Sequence, residues 1–476
     1  MSYRQLVDTE RLNSPLPGPV VMNRLTNRQT FLRLALLLLM LVAAAWLPLA
    51  RGECLSGTAA DPFEAERVGL SREWIVQLPF ESIGYRLGRV DVGRWTVVAQ
   101  SGDGKVHAVR AGDAATATPG APRPGTLLWS TSLGVPLAPP QPAGIDGRLI
   151  VVTHDMEAVG LQARTGSVFW RRRLPVPPSA GALPVGNWAY VPLRNATVLR
   201  LPVNPFRLML PEPGTDGSAE TEGGGSEQLV KLDPVEINSH GLIEQQPTPY
   251  GAGVIWCTRN GHLTAIEPAN DAWARHEFEL LQSPGGPVLV RDQTIFATTG
   301  TGELIRFADA PGGLRLVWRS LLETSLHPNE QRPQLLLKGE TLIVSLGERG
   351  IAAHAADSGR RIWKSPLKAE LLAIVGGRVW CYDRQNMLTG LSLADGEPEA
   401  FLHPGPFTLP VTNRASEKLI LASPRGLLAS LGPRTVAGEQ PAAAADTELQ
   451  EAPDAPAAAP PEKPEKEGAD ERFNFF

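Results

Sequence analysis

Three thiols, eight imidazoles and several aspartates beside glycine are the side chains of this 476-residue chain that could carry chemistry. Cys54, Cys257 and Cys381 could serve as nucleophiles, metal ligands or disulfide partners, but three cysteines in so long a chain make no disulfide framework. Neither a C-x-x-C pair nor a His/Cys spacing suited to a metal occurs. Cys257 and Cys381 stand in matching contexts, IWCT and VWCY, which predicts equivalent strand positions in two repeats and two buried, inert thiols. The histidines are scattered, and each reads as a polar strand or loop residue. Asp103, Asp146, Asp357 and Asp395 lie beside or near glycine, where a carboxylate braces a turn through a local hydrogen bond. No catalytic, cofactor-binding or metal-ligating residue is therefore assigned. A net charge of -5, with no basic patch interleaved with aromatics, excludes a nucleic-acid partner.

The residues that do recur in a pattern are tryptophans. Residues 147–174, GRLIVVTHDMEAVGLQARTGSVFWRRRL, align without a gap on residues 340–367, ETLIVSLGERGIAAHAADSGRRIWKSPL. At this offset Leu149, Ile150, Val151, Ala163, Gly166, Trp170 and Leu174 meet Leu342, Ile343, Val344, Ala356, Gly359, Trp363 and Leu367. Each unit divides into three short runs: a β-branched and Leu-rich run, a middle run, and a run ending in Trp and Leu. Apolar runs of this length bounded by Gly, Asp or Ser predict strands, and the Thr165-Gly166 and Ser358-Gly359 turns permit a positive φ before the Trp strand. Such a hairpin unit cannot bury both of its faces alone, so neighbouring copies must cover it.

Weaker copies fill the rest of the chain. One spans 94–134 with Trp129, one lies near NWAYVPLRNATVLRLPV from Asn187, and others begin at Gly253, Gln293 (with Trp318) and Gly377. In the third unit the later strand is expected within EQLVKLDPVEI, after an inserted loop. The last copy, Glu417–Leu431, stops before its Trp strand, and residues 72–79, REWIVQLP, have the form of that missing strand. Pairing the two ends within one blade closes a ring and removes its exposed sheet edges. The count is then eight blades, with seven as the alternative. Trp74, Trp129, Trp170, Trp318 and Trp363 are the expected wedges between blades.

An apolar strand, a D-G or N-G turn, an A-L-D-like strand, T-G and a Trp-bearing strand resemble the pyrroloquinoline-quinone-type propeller repeat, over roughly residues 72–434. Proteins of this kind include quinoprotein dehydrogenases and the propeller lipoprotein of the outer-membrane β-barrel assembly machine. The dehydrogenases imply a quinone, a nearby calcium, an aspartate base and often adjacent cysteines, and no adjacent cysteine pair exists here. The assembly lipoprotein implies a ring that holds a partner protein, a likeness of shape only.

Outside the ring, Phe31–Ala50 is a run of twenty residues with one charge, Arg33, long enough as a helix to cross a bilayer. Arg4, Arg11, Arg24, Arg28 and Arg33 oppose only Asp8 and Glu10 on its N-terminal side, which directs residues 1–30 to the cytoplasm and exports the rest. A cleaved signal peptide ending at Ala50 is the competing reading, and Pro48 is poor for it. Arg51, Gly52 and Glu53 do not make Cys54 a lipidation site. Residues 51–71 are expected as a linker and 211–228 as a flexible insertion. From residue 435 the chain is Ala-, Pro- and Glu-rich, with ten acids against three bases, and is expected to be disordered. It ends in Phe473, Phe475 and Phe476, a candidate docking motif. The expectation is a monomeric, single-pass inner-membrane protein with an all-β propeller outside. It needs no cofactor and binds or scaffolds envelope protein partners, with ligand sensing and quinone-dependent oxidation as the other readings.

Overall fold

The computed structural model describes residues 56–80, 86–112, 121–134, 140–204, 206–209, 228–269, 272–280, 282–310, 313–322 and 333–434. The expected leader, the apolar span 31–50, most of the insertion 211–228 and the tail with Phe473, Phe475 and Phe476 lie outside these residues. Among the described residues no helix is long and apolar enough to cross a membrane.

The chain forms an all-β propeller of eight blades. Seven are four-stranded antiparallel sheets whose strands follow one another in order from the axis outward: Leu87–Ser132, Gly144–Arg173, Leu183–Asn238, Thr248–Glu279, Leu289–Leu321, Leu335–Ser365 and Ala369–Leu402. The eighth combines Leu419–Ala422, Leu427–Pro433 and, from the other end of the chain, Leu70–Gln77, while Leu409 bridges Ala422 in the innermost place. In this closure Leu70 pairs with Pro433, Trp74 with Ser430 and Gln77 with Leu427.

The sequence makes these sheets because each blade is covered on both faces. The second strands of blades 1 and 2, Thr96–Ser101 and Leu149–His154, are buried at every position, so they read as unbroken apolar runs rather than alternating ones. Among the described residues the buried side chains fall into eight clusters, each shared between two consecutive blades and one of them between blades 8 and 1. No blade owns a core, so the fold stands or falls as a ring.

Three features differ from the sequence reading. The innermost strands were not anticipated: those of blades 2 to 6 have only two to four residues and carry no periodicity, and the longer Leu87–Val92 and Ala369–Val375 lie ahead of the three-run template. Within the segment expected to supply the outer strand of blade 3, only Val235–Asn238 joins the blade, whereas Gln228–Lys231 pairs with Phe206–Met209 in a separate hairpin. Cys257 and Cys381 are not equivalent. Gly253 and Arg378 both open the second strand of their blades, so Cys257 matches Tyr382, one place beyond Cys381. Because successive strand residues face opposite ways, Cys257 packs toward blade 5 and Cys381 toward blade 6.

Part of the expected linker packs on the ring. Asp61 caps a short helix, α1 (Pro62–Arg67), by accepting from the Phe63 amide at 3.0 Å, and Ala59, Ala60 and Ala65 join the cluster of blades 7 and 8.

Candidate functional site

The five tryptophans of the repeat template stand on the outermost strands of blades 8, 1, 2, 5 and 6. Four of them lie against a positive-φ glycine in the next blade: Trp74 on Gly125, Trp129 on Gly166, Trp318 on Gly359 and Trp363 on Gly396. A Cβ on any of these glycines would come within 2.6 Å of the tryptophan side chain. Three indoles also donate across the gap, Trp129 to Ala163 O at 2.8 Å, Trp318 to Ala356 O at 3.1 Å and Trp363 to Leu393 O at 2.9 Å. Trp170 differs: its ring lies over Gly160 of its own blade and its buried Nε1 has no partner among the described residues. The short turn that would receive it is replaced in blade 3 by the excursion through residues 206–231. These residues join one blade to the next.

The side chains with chemical potential are likewise engaged in structure. Asp103 binds the Ser101 hydroxyl and the Lys105 amide (3.3 Å), Asp146 the Gly147 amide (2.6 Å), Asp357 the Ser358 hydroxyl (2.9 Å) and Asp395 the Glu397 amide (3.1 Å). Those bonds hold the Asp395 carboxyl below its ordinary pKa. Burial pushes the Cys257 thiol up to about 12 and Cys381 upward as well, so neither is a thiolate at neutral pH. His107 is fully buried, bonds Ser130 Oγ at 2.8 Å, and is held by burial at about 4. A calcium and quinone of the dehydrogenase kind do not fit these residues. The glycine-side aspartates are committed to their turns, Cys257 and Cys381 sit apart in blades 4 and 7, and among the described residues no three His, Cys, Asp or Glu side chains are grouped to hold a metal ion.

What the fold does assemble is a funnel. A cavity of 810 Å³ opens where the innermost strands end, lined by residues of blades 1, 5, 6, 7 and 8. Its charged lining is Arg94, Arg291, Lys338, Arg414 and Lys418 against Glu73 and Glu417. Lys338 pairs with Glu417, and the buried Lys418 pairs with Glu73 at 2.8 Å, so both carboxylates are neutralised locally. Arg291 reaches outward to Glu340 at 3.2 Å. Arg94 and Arg110 both lie over the Trp95 ring, at 5.0 and 5.4 Å from its centre. Arg414 is exposed at the cavity, and desolvation by the surrounding protein lowers its pKa to about 10, which leaves it charged at neutral pH. Neither Arg94 nor Arg414 meets a carboxylate among the described residues. The funnel therefore carries excess positive charge, presented beside a flat aromatic surface, an arrangement that accepts carboxylates.

None of these lining residues was anticipated. One signal was available: Arg291 and Lys338 both end the innermost strand of their blade, LVRDQT against LLKGET. Arg94, Trp95 and Arg414 sit in connections that differ from blade to blade, so no repeat template reveals them.

A family model described as outer membrane protein assembly factor BamB matches residues 112–199, from the end of blade 1 into blade 3. The chain is similar in structure to BamB from Moraxella catarrhalis, with a TM-score of 0.54 and 18% identity over 76% of this chain and 97% of that one. It is also similar to Sqt1 from Saccharomyces cerevisiae, with a TM-score of 0.50 and 9% identity over 74% of this chain and 96% of that one. At these identities the likeness is one of fold. No curated protein matches the chain. The resemblance to pyrroloquinoline-quinone-type repeat propellers is thus carried by the family model and the fold together.

Proposed function

We propose that this chain is a non-enzymatic scaffold whose funnel holds an acidic segment of an envelope protein partner. The observation that carries this reading is the convergence of Arg94 and Arg414, without carboxylate partners among the described residues, on a cavity that also presents Trp95. Positive charge within low-dielectric walls draws an anionic segment in, and guanidinium groups bind carboxylates in the fork geometry that a lysine cannot offer. The description of the matched family as an assembly factor supports binding over catalysis.

In this proposal the run 31–50 anchors the chain once in the inner membrane, with residues 1–30 in the cytoplasm and the propeller in the periplasm as a monomer. The arginine bias ahead of the run supports that orientation. Phe473, Phe475 and Phe476 give the partner a second contact, which removal of the residues after Asp470 should weaken.

A photo-crosslinking residue at Ala415, in the intact chain in cells, tests the funnel. Adducts should map to Asp- and Glu-rich peptides of the partner and disappear when Arg94→Glu and Arg414→Glu are combined. Unchanged adducts in the reversed-charge variant would move the contact elsewhere, for instance to the outer strand Val168–Arg173 with its exposed Phe169. A phosphatase that matures only outside the cytoplasm, fused after Phe476, tests orientation: activity is expected, and an inactive fusion sinks the export.

A further inference from the structure

We infer that residues 435–461 of this chain are themselves a ligand of the funnel, folding back to compete with the acidic segment of the partner. The inference rests on the binding role proposed for the funnel and adds a regulator to it.

Two observations converge. The first is where the tail begins. Pro433, the last residue of the closing blade's third strand, lines the funnel, and the Arg434 amide is fixed to Gly69 O at 3.0 Å. Residue 435 therefore starts at the rim.

The second is how the tail's charge is distributed. Glu439, Asp446, Glu448, Glu451 and Asp454 are the charged residues of 435–461, with no lysine or arginine among them. The three bases of the tail, Lys463, Lys466 and Arg472, all fall in its distal part. The purely acidic portion is thus the portion next to an excess of positive charge, where Arg94 and Arg414 have no carboxylate among the described residues.

Reach is not limiting. A tether of twenty residues, if it behaves as a random coil, spans about 25 Å on average, which puts the acids through Asp454 within reach of the cavity. Tethering at this range supplies a local concentration on the order of millimolar. Beyond alanine and proline the segment has only Val436 and Leu449 as apolar side chains, so its hold is mainly electrostatic, reversible and sensitive to salt. A partner segment must displace it, and the tail's charge sets how strongly the partner must bind.

The test uses the full chain and a full-length variant with a neutral proximal tail: Glu439→Gln, Asp446→Asn, Glu448→Gln, Glu451→Gln and Asp454→Asn. Equal melting temperatures of the two proteins would verify that the fold is untouched. The probe is a fluorescein-labelled oligoglutamate, followed by anisotropy at low salt. The neutral-tail protein should bind it about tenfold more tightly than the natural chain. The advantage should vanish at high salt, and a synthetic peptide of residues 435–461 should displace the probe. Adding Arg94→Glu and Arg414→Glu should abolish binding. Equal affinity of the two proteins for the probe would overturn the tail's role while leaving the funnel as an anion site. No binding by either would overturn both readings.

Discussion

Two tryptophans from the same place in consecutive blades have different surroundings, which makes the wedge measurable one residue at a time. Trp129 donates to Ala163 O, whereas the buried Nε1 of Trp170 finds no acceptor among the described residues. Trp129→Phe should cost about 1 kcal/mol more stability than Trp170→Phe, as read from denaturant midpoints, because only the first loses a hydrogen bond. His107 offers a second test. Its folded pKa of about 4 lies below the ordinary 6.5, so the fold favours the neutral ring and that stability is fully present above pH 6.5. As pH falls toward 4 the unfolded chain takes the proton first, and between pH 7 and 5 the loss should be about 2 kcal/mol. His107→Gln should flatten that dependence, with a smaller slope persisting because His154 and His354 are shifted the same way by burial. At this scale the tryptophans were legible because one template repeats them at fixed spacing. The funnel cations were not, because they sit in connections whose lengths vary and become neighbours only across the ring.

The unit of packing is a Trp strand set against the glycine turn of the next blade. Gly359 and Gly396 combine φ values of 70° and 77° with an indole in van der Waals contact, whereas Gly339, at φ 55°, has nothing near it. Gly396→Ala should therefore cost roughly 2–4 kcal/mol, backbone strain plus collision with Trp363, and Gly339→Ala only the strain, about 1–2 kcal/mol. Equal losses in thermal unfolding would mean that the indole contact contributes nothing. The second and third strands of most blades could be read from the sequence, since burial on both faces leaves apolar runs, whereas the exposed fourth strand was read from a Trp that follows a glycine turn. Strands of two to four residues next to the axis could not. The Cys257 and Cys381 contexts show how far local likeness misleads: IWC and VWC look alike, yet a shift of one residue sends the thiols to opposite faces, and only the pairing register reveals it.

For the whole molecule, closure is the decisive feature, and it was readable because the last repeat lacks the strand that the first segment supplies. Removing residues 1–79 should open the ring between blades 8 and 1, unpair the edge of Leu427–Pro433 and expose the cluster around Val97, Val109 and Ile420. Light scattering should then report more association of the truncated chain than of the natural chain at the same concentration. A monodisperse, fully cooperative truncated protein would contradict the closure argument. The same pairing has a mechanical side. Leu70 lies opposite Pro433, so the incoming and outgoing chain occupy the same end of one antiparallel pair. Tension between the two ends would open that pair like a zipper, one backbone rung after another, instead of shearing all rungs at once. A load of that kind would peel blade 8 first, making the seam of the ring its weakest point under force.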